Sequence, residues 1–461
     1  MQDVSTDIVA DVVIVGGGGC GLAAALAACD AGASALILER DASPRGTTAM
    51  STGLIPAAGT PEQRDVGIVD TADQFAADIM AKHGGQTDPA TVNALTAASA
   101  EMIRWLQSHR IPLSLVTGFL YPGHSVPRMM GTPNRTGEEL MASLSAAASR
   151  AGADILPRAC VTRLEALPSG RIETVSIARP DGTLERIAAR TVILACGGFA
   201  GNPALIADYI PEMAGATVHS HPGNKGDWMQ WATQLGAATA DIGSYQGHAG
   251  LAAGHAIPIL WPTITEGGIQ LNSLGVRFAD ESRGYSEQAA QVNAQPGKVA
   301  WSVWDARIHA VMVQFDDYAQ ALSAGAVAIA PDIGSLAARM GLPASQLEQT
   351  LAEVAQITAR QAPCPFGRVF APRRPLAPPY YAARVTGALF HTQGGLVVDA
   401  SARVLRPDGS PLPNLYAGGG AARGISGPGA AGYIAGNGLL TAIGLGRIAG
   451  FMAAAQASAQ E

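Results

Sequence analysis

The stretch that decides the fold is DVVIVGGGGCGLAAALAACDAGASALILER, residues 11–40. It opens with the short apolar run 11–15, rich in β-branched side chains, which predicts a buried parallel strand. Residues 20–31 are rich in alanine and leucine and predict a helix, and the apolar run 35–38 predicts a second strand that ends at Glu39. Strand, glycine turn, helix and strand together make a βαβ unit of the length typical of a dinucleotide-binding fingerprint.

The glycines between strand and helix predict the part that binds phosphate. Gly16, Gly18 and Gly21 fit the pattern G-x-G-x-x-G. In that pattern the first glycine permits a sharp turn, the second lets the backbone approach a pyrophosphate, and the third lets the helix pack close to the strand. The helix N-terminus adds free N–H groups, and Glu39 can accept hydrogen bonds from ribose hydroxyls. The unit therefore predicts a dinucleotide site rather than an ordinary glycine-rich turn, with FAD and NAD as alternatives.

Composition narrows the class of protein. The 461 residues are 48% hydrophobic and 15% charged, which is enough apolar material for a large core and for two or three structural units. The net charge of −7, without a basic cluster, disfavours nucleic acid as a partner. The five cysteines show no CxxC pair, no metal-ligand spacing and no CxxCH. We therefore expect a reduced, cytoplasmic protein without a metal site or covalent haem.

The apolar N-terminus lacks the charge pattern of a signal peptide. No lysine or arginine precedes Arg40, so a basic segment at the start is missing. Asp30 and several glycines also interrupt the apolar stretch. We expect neither export nor a membrane span.

Later segments repeat or vary the opening pattern. Residues 191–200 and 415–420 each read as an apolar strand followed by glycines. Residues 161–190 alternate apolar and polar side chains around the turn PDGT and predict an antiparallel hairpin. Residues 138–151 predict a helix, and the small polar end 454–461 predicts frayed chain.

The middle of the chain differs from both ends. From 246 to 385 the strand–glycine pattern disappears, and residues 333–362 show helical periodicity. We interpret 246–385 as a separate domain inserted into a dinucleotide-binding domain built from 1–245 and 386–461.

Seven segments in a fixed order carry a family resemblance. They are VGGGGCGLAAA, GTTAMSTG (46–53), VILACGGF (192–199), GNKGDWMQWATQLGA (223–237), GGIQLNSLGVRFADE (267–281), HTQGGLVVD (391–399) and the block LPNLYAGGG…GNGLLTAIGLGRIAG. With them the chain resembles, over nearly its whole length, the FAD-dependent flavoprotein family of fumarate reductases and succinate dehydrogenases. Ketosteroid dehydrogenases, tricarballylate dehydrogenases and urocanate reductases are relatives in that family.

The resemblance implies an α/β fold, a Rossmann-like FAD-binding domain of the glutathione-reductase type with an inserted α+β capping domain. It implies FAD as cofactor, with substrate held between cap and flavin. The implied reaction oxidises a C–C bond, or reduces an activated C=C bond, of a small organic acid or ketone by hydride transfer at flavin N5. The implied partners are a small-molecule substrate and an electron donor or acceptor that the residues do not identify. The alternatives are an electron-transferring subunit of a larger complex, a ketosteroid-type dehydrogenase, or a flavin-binding protein without turnover.

Family members with covalent flavin carry a histidine in the segment that matches 46–53, and this chain has none there. The resemblance therefore implies non-covalent FAD, with hydroxyls of Thr47, Thr48 and Ser51 near the phosphates or the ring. The full set of expected FAD contacts is Gly16, Gly18, Gly19, Cys20, Gly21, Glu39, Arg40, Thr47, Thr48, Ala49, Ser51, Gly53, Val161, Ala195, Gly197, Asp227, Gly419, Gly420, Gly436, Asn437 and Leu439.

Four residues are candidates for catalysis: His391 in the segment 391–399, His248 at the start of the predicted cap, and Arg283 and Tyr285 just after the segment 267–281. His391 in HTQGG matches a family histidine that contacts a substrate carboxylate or carbonyl; a hinge histidine bonded to backbone is the alternative. His248 resembles a second histidine near substrate. Arg283 resembles the proton-donating arginine of fumarate reductases, although its spacing from the preceding glutamate is shorter, and Glu266 could match the relay glutamate; an ion pair is the alternative for Arg283. Tyr285 is an equally plausible proton-transfer group, because ketosteroid dehydrogenases use tyrosines.

The C-terminal block departs most from the family pattern. Gly420 stands where fumarate reductases have a glutamate that holds the ribitol, and Tyr433 stands where they have an arginine that grips the substrate carboxylate. Loss of that bidentate grip argues against a plain C4 dicarboxylate substrate. Tyr433 is our fifth catalytic candidate, and Arg423 could supply an alternative charge. His124 and Arg128 lie where family members often have basic residues near substrate, or on a solvated loop.

Overall fold

The computed structural model describes residues 4–370 and 374–459. Its strands are β1 (Val4–Val15), β2 (Ala35–Leu38), β3 (Ile55–Pro56), β4 (Ser114–Leu115), β5 (Met129–Gly131), β6 (Asp154–Leu156), β7 (Cys160–Ala166), β8 (Ile172–Ala178), β9 (Leu184–Leu194), β10 (Thr217–Val218), β11 (Thr239–Ala240), β12 (Tyr245–Ala252), β13 (Ile269–Leu271), β14 (Val299–Asp305), β15 (Val327–Ala330), β16 (Tyr380–Thr392), β17 (Gly395–Leu396), β18 (Arg403–Leu405) and β19 (Pro411–Ala417).

The α helices are α1 (Gly19–Asp30), α2 (Pro61–Asp65), α3 (Ala72–Lys82), α4 (Pro89–Ser108), α5 (Gly137–Arg150), α6 (Pro203–Tyr209), α7 (Asp227–Leu235), α8 (Pro262–Thr265), α9 (Tyr285–Asn293), α10 (Ala306–Met312), α11 (Asp316–Ser323), α12 (Ile333–Met340), α13 (Ala344–Thr358) and α14 (Asn437–Ser458). Short 3-10 helices lie at Thr47–Met50, Pro211–Met213, Glu281–Arg283, Pro296–Lys298 and Gly419–Ala421.

The first sheet confirms the predicted βαβ unit. It has eight strands, with β18-β19-β9-β1-β2-β6 side by side and β7 and β8 joined through β9. β1 pairs in parallel with both β2 and β9, and β19 pairs in parallel with β9. Such strands are buried on both faces, which explains why β2 is apolar at every position. The predicted hairpin around PDGT is also confirmed, as the antiparallel pair β8 and β9.

Two apolar helices pack together against this sheet. The residues of α1 from Gly19 to Ala28 are all buried, as expected of a helix that is apolar on every side. A Cβ atom at Gly446 of α14 would lie 2.4 Å from the Cys20 carbonyl oxygen, and one at Gly450 would lie 2.2 Å from the Ala24 carbonyl oxygen. The small residues of α14 therefore let the two helix backbones approach closely.

α14 is the one helix of the described chain that is long and apolar enough to cross a membrane by length and composition. Within the structure, 61% of its most apolar window is buried against the rest of the protein. Burial of this kind is typical of a core helix.

The second sheet has six strands and is organised by β16, which pairs with β10, β12, β14 and β15. A separate apolar cluster lies beneath it, where Leu336 and Leu347 of α12 and α13 pack with Ile269 and Val303 of β13 and β14. The predicted boundary between residues 385 and 386 falls inside β16. β16 runs from this sheet to residues 391–393, which line the main cavity.

Candidate active site

The turn after β1 is shaped by three glycines with different neighbours. Gly16 has φ 103°, and a Cβ atom there would lie 2.6 Å from the Ala195 carbonyl oxygen. A Cβ atom at Gly21 would lie 1.9 Å from the Gly16 carbonyl oxygen. At Gly18 the nearest atom to a Cβ is Gly46 Cα, at 4.0 Å. Gly16 and Gly21 thus serve close packing, while Gly18 presents open backbone to the cavity that it lines.

The N-terminus of α1 is free to bind an anion. No side chain caps it, because Gly18 is its N-cap residue. Its first N–H group, that of Gly19, donates only a long 3.3 Å hydrogen bond to Thr48 Oγ1. Free N–H groups beside open backbone fit the pyrophosphate of a dinucleotide.

Glu39 ends β2 at the opposite edge of this loop. Its carboxylate accepts hydrogen bonds of 2.8 Å from the N–H groups of Gly17 and Asp41, and the side chain is buried. Two donors hold the carboxylate in place while it lines the cavity. A carboxylate accepts at several positions, so this geometry fits the predicted contact with ribose hydroxyls.

Arg40 and Asp227, both expected FAD contacts, form one pair in the cavity wall. Arg40 Nη1 lies 3.6 Å from an Asp227 carboxylate oxygen, and Arg40 Nη2 donates to the Gly223 carbonyl oxygen. The pair joins the end of β2 to the start of α7 beside the nucleotide loop.

The hydroxyls of the 3-10 helix Thr47–Met50 and its neighbour Ser51 join the loops around the cavity. Thr47 Oγ1 accepts from His221 N–H at 3.1 Å and from Asn224 Nδ2 at 2.8 Å. Ser51 Oγ donates to the Thr48 carbonyl oxygen at 2.7 Å. Thr47, Thr48 and Ser51 all line the cavity, but part of their bonding capacity is used by the protein itself.

Most of the expected FAD contacts lie around one cavity. Those that line it are Gly16, Gly18, Gly19, Cys20, Glu39, Arg40, Thr47, Thr48, Ser51, Val161, Ala195, Gly197, Asp227, Gly419, Gly420, Gly436 and Leu439. Four others, Gly21, Ala49, Gly53 and Asn437, do not line it. Gly21 packs on Gly16, and a Cβ atom at Gly53 would lie 2.7 Å from the Thr136 carbonyl oxygen. The Ala49 side chain is buried, and Asn437 faces the interior.

Four of the five catalytic candidates meet at the other end of the same cavity. The ring of Tyr433 lies 5.7 Å from that of His391 and 6.0 Å from that of Tyr285, and the Tyr285 ring lies 5.0 Å from that of His248. These side chains come from β12, α9, β16 and the segment before α14. The fold thus brings together residues that are far apart in sequence.

Arg283 does not join this group. Its side chain is exposed and does not line the cavity. It ends one short helix, Tyr285 begins α9, and Gly284 between them has φ 154°. The chain turns at that glycine, so the two neighbours have different surroundings, and the structure does not bring Arg283, the predicted proton donor, to the cavity.

Other basic and acidic candidates have structural partners. Arg128 is fully buried and pairs with Asp70 at 3.0 Å and with Asp78 at 2.6 Å. His124 Nε2 lies 3.0 Å from the Ala435 carbonyl oxygen. Arg423 donates to Asp241 at 2.7 Å. Like Glu266, these three lie outside the cavity lining and brace the segments around it.

The sequence patterns missed several side chains at this end. They are Tyr121, His219, Trp261, Asp317 and Phe390. The His248 ring stacks on Phe390 at 5.0 Å and lies edge-on to Trp261 at 6.2 Å. These residues fit no motif; the one signal in the sequence is the pair of aromatic residues Phe119 and Tyr121.

Burial keeps the candidate catalytic histidines His248 and His391 neutral. It lowers the pKa of His248 to about 3, with nearby His219 acting in the same direction, and lowers the pKa of His391 to about 4. His248 Nδ1 accepts from Gly250 N–H at 3.0 Å, which places its proton on Nε2.

Burial likewise keeps the phenols protonated. It raises the pKa of Tyr285 and of Tyr433 well above the usual range, and for Tyr285 the neighbouring Tyr433 adds to the effect. At neutral pH this end of the cavity therefore offers hydroxyl and imidazole N–H donors without formal positive charge. In the described residues no group of three or more histidine, cysteine or acidic side chains is placed to hold a metal ion.

Comparisons with known proteins agree with this site. A family model described as "FAD binding domain" matches residues 11–439. The NADH:fumarate oxidoreductase of Klebsiella pneumoniae (strain 342) is 29% identical over 451 residues, which cover 97% of this chain and 48% of that protein. The chain thus spans about half the length of that relative.

Solved structures share the fold. The open conformation of a flavocytochrome c3 fumarate reductase matches with a TM-score of 0.81 and 27% identity, over 98% of this chain and 79% of that one. The 3-ketosteroid-Δ4-(5α)-dehydrogenase from Rhodococcus jostii RHA1, in complex with 4-androstene-3,17-dione, matches with a TM-score of 0.76 and 25% identity, over 97% of both chains. The chain therefore belongs to the FAD binding domain family, its cofactor is FAD, and it is an oxidoreductase homologous to fumarate reductases and ketosteroid dehydrogenases.

Proposed function

We propose that this protein is an FAD-dependent oxidoreductase that oxidises a C–C bond, or reduces the corresponding C=C bond, next to the carbonyl of an uncharged, ring-shaped ketone. The observation that carries the proposal is the chemistry of the substrate end of the cavity. There the lining is rich in phenols, neutral imidazoles and aromatic rings, among them Tyr285, Tyr433, His391 and Phe390.

The charges around the cavity disfavour a dicarboxylate. Recognition of a carboxylate is strongest when an arginine makes two parallel hydrogen bonds to it. Within residues 4–370 and 374–459, no lysine lines the cavity and its one arginine is Arg40, which pairs with Asp227 at the nucleotide end. Tyr433 stands where the related fumarate reductases would place an arginine, so that grip is absent.

Asp317 adds a negative charge at the substrate end. It lines the cavity, and in the described chain no hydrogen bond or ion pair involves its carboxylate. Burial raises the pKa of the Tyr121 phenol, and the nearby Asp317 carboxylate acts in the same direction. A carboxylate substrate entering beside it would meet like charge, whereas a neutral ketone would not.

The side chains at this end can act on a ketone in a defined way. His391 and Tyr433 are neutral donors whose rings adjoin, and donors of this kind stabilise negative charge that develops on a carbonyl oxygen. Tyr285, next to Tyr433, is held protonated and can give its proton to the carbon being reduced; in the reverse reaction its phenolate would receive the proton. Bound FAD supplies the hydride chemistry. The aromatic walls exclude water and favour a flat apolar ring.

The ketosteroid dehydrogenase match supports this assignment, because that protein is in complex with a neutral ring ketone and matches 97% of the chain. We further propose that residues 246–385 form a cap and that FAD is bound non-covalently, since residues 46–53 contain no histidine. A reducing, cytoplasmic location is supported by the five cysteines, none of which is paired in a disulfide.

The test compares two oxidants of the reduced enzyme. Purified protein reconstituted with FAD is photoreduced without oxygen, then mixed with a cyclic enone or with fumarate while flavin absorbance is followed. We expect the enone to restore the yellow colour at least about tenfold faster, a difference of about 1.4 kcal/mol in barrier. Equal rates, or faster oxidation by fumarate, would overturn the proposed substrate class. A protein that takes up no FAD would overturn the reaction itself.

A further inference from the structure

A chain of three buried side chains leads to His391. Gln393 Nε2 lies 2.9 Å from His391 Nδ1. Gln393 Oε1 accepts from Ser426 Oγ at 3.2 Å, and Ser426 Oγ accepts from Asn437 Nδ2 at 3.3 Å. Ser426, Gln393 and Asn437 are 1%, 5% and 0% exposed, so water does not compete for these bonds.

The backbone also fixes the root of the Gln393 side chain. Its N–H donates to the Ser244 carbonyl oxygen and its carbonyl oxygen accepts from Gly424 N–H, both at 2.7 Å. Both the backbone at Gln393 and the amide end of its side chain are therefore held in place by hydrogen bonds. An amide held at both ends presents its NH₂ group, and not its oxygen, to the imidazole.

Two groups compete for His391 Nδ1 and demand opposite tautomers. The Gln393 amide, at 2.9 Å, is a donor and needs the lone pair of Nδ1. The Thr392 carbonyl oxygen, at 3.4 Å, is an acceptor and needs a proton on Nδ1. The shorter and better placed bond is the one from Gln393. A neutral imidazole that accepts at Nδ1 carries its proton on Nε2.

The edge of the His391 ring that carries Nε2 and Cε1 lies beside Gly438. A Cβ atom at Gly438 would lie 2.8 Å from it, and both His391 and Gly438 line the cavity. A glycine at 438 therefore leaves room in front of the imidazole N–H group. The tautomer set by Gln393 decides whether His391 offers the substrate a donor or a lone pair.

We propose that Gln393 is a positioning residue that holds His391 as a hydrogen-bond donor toward the substrate oxygen, with Ser426 and Asn437 fixing the Gln393 amide. This inference rests on the proposed function, in which His391 donates to a ketone oxygen. It also explains why Asn437, an expected FAD contact, faces the interior.

Gln393→Glu tests the inference, because a carboxylate can only accept and therefore requires a proton on His391 Nδ1. We expect kcat for the cyclic enone to fall about ten- to hundredfold with little change in KM, since a misplaced donor matters most as charge develops. Activity should partly return as the pH is lowered, because the doubly protonated ring regains an N–H on Nε2. A variant that retains the wild-type kcat and pH profile would overturn the inference.

A direct readout does not depend on turnover. ¹⁵N NMR of histidine-labelled protein, with the His391 signal assigned through His391→Gln, reports which ring nitrogen carries the proton. We expect the Nε2–H form in the wild type and a protonated Nδ1 in Gln393→Glu. A wild type with the Nδ1–H form would overturn the inference even if ketones are turned over. The Nε2–H form in a protein inert to ketones would overturn only the proposed function.

Ser426→Ala is a second variant that tests the inference even if Gln393→Glu does not fold. It removes one donor to Gln393 and leaves no new charge, and we expect a smaller loss of kcat with the same direction of change in the NMR signal. An unchanged NMR signal in both variants would contradict the role of the chain.

Discussion

At the scale of single residues, the glycines after β1 look alike in sequence but perform different tasks. Gly18 leaves backbone open toward the cavity, whereas Gly21 lets α1 pack against the turn. The fingerprint predicts close packing at Gly21 and approach to a pyrophosphate at Gly18, and each follows from the absence of a Cβ atom. Because Gly18 and Gly21 have different surroundings, we expect substitutions at these two positions to have different effects.

Gly18→Ala is expected to abolish FAD binding without unfolding the protein. Its Cβ atom would enter open space, with 4.0 Å to the nearest atom, where phosphate is expected to approach. Gly21→Ala places a Cβ atom 1.9 Å from a backbone oxygen and is expected to lower the stability of the apoprotein. Thermal melts of the apoproteins and FAD titrations check the pair. A lowered melting temperature in Gly18→Ala would contradict the assignment.

Arg283 and Asn437 are two predicted site residues that the structure places outside the cavity lining. Both occupy segments that match the family pattern, yet one is exposed and the other points into the core. A motif fixes the position of a residue along the chain. The direction of its side chain depends on the local backbone, here on Gly284 and on the first turn of α14.

At the scale of secondary-structure elements, α11 brings a carboxylate to the cavity that no pattern foretold. Asp317 lies in the first turn of this helix and is partly buried, while its neighbour Asp316 is exposed. Burial, with the charge of Asp316 acting in the same direction, raises the pKa of Asp317 from 3.8 to about 6. The two aspartates form a matched pair for experiment.

Asp317→Asn is expected to stabilise the protein above pH 6. Because the folded state raises the pKa of this carboxyl, its favourable contribution is complete below about pH 4 and is lost as the pH rises through about 6. The substitution should therefore add about 1–2 kcal/mol to the free energy of unfolding at pH 8 and little at pH 4. Urea denaturation at both pH values measures this, with Asp316→Asn as control. An equal effect of the two substitutions would contradict the burial of Asp317.

Element ends were harder to predict than elements. The helix expected over residues 138–151 is confirmed as α5, but the helical region 333–362 divides into α12 and α13. The expected frayed end is wrong for residues 454–458, which continue α14, while residues 460–461 lie outside the described residues. Gln456 explains the longer helix, since it accepts a 2.6 Å hydrogen bond from the Tyr416 hydroxyl of β19.

At the scale of the whole molecule, an ion pair joins helix α3, in the first part of the chain, to helix α9, which lies between strands β13 and β14 of the second sheet. Lys82 at the end of α3 lies 2.6 Å from Glu287 of α9, and it also donates to the Arg283 carbonyl oxygen. Among the described residues, the second carboxylate oxygen of Glu287 is buried without a hydrogen-bond partner. Burial raises the pKa of Glu287 while Lys82 opposes that rise. The protonation of Glu287 therefore depends both on its burial and on the charge of Lys82.

Lys82→Met is expected to destabilise the protein by about 2–3 kcal/mol at pH 8, because it leaves a mostly buried carboxylate without its cation. The double variant Lys82→Met with Glu287→Gln should recover most of that loss, since no unpaired charge remains. Urea denaturation of the FAD-bound protein measures both. Failure of the second substitution to restore stability would show that lost packing, and not charge, is the cause.

The sequence by itself determined the nucleotide half of this protein. The βαβ unit, its glycines and Glu39 lie close along the chain, so spacing and periodicity are enough to place them together. Only the tertiary structure decided the substrate half. His248, Tyr285, His391 and Tyr433 meet because β12, α9, β16 and the segment before α14 converge on one cavity, which the loop residue Tyr121 also lines. Their contacts span hundreds of residues, and burial, which sets their protonation, exists only once those elements have packed.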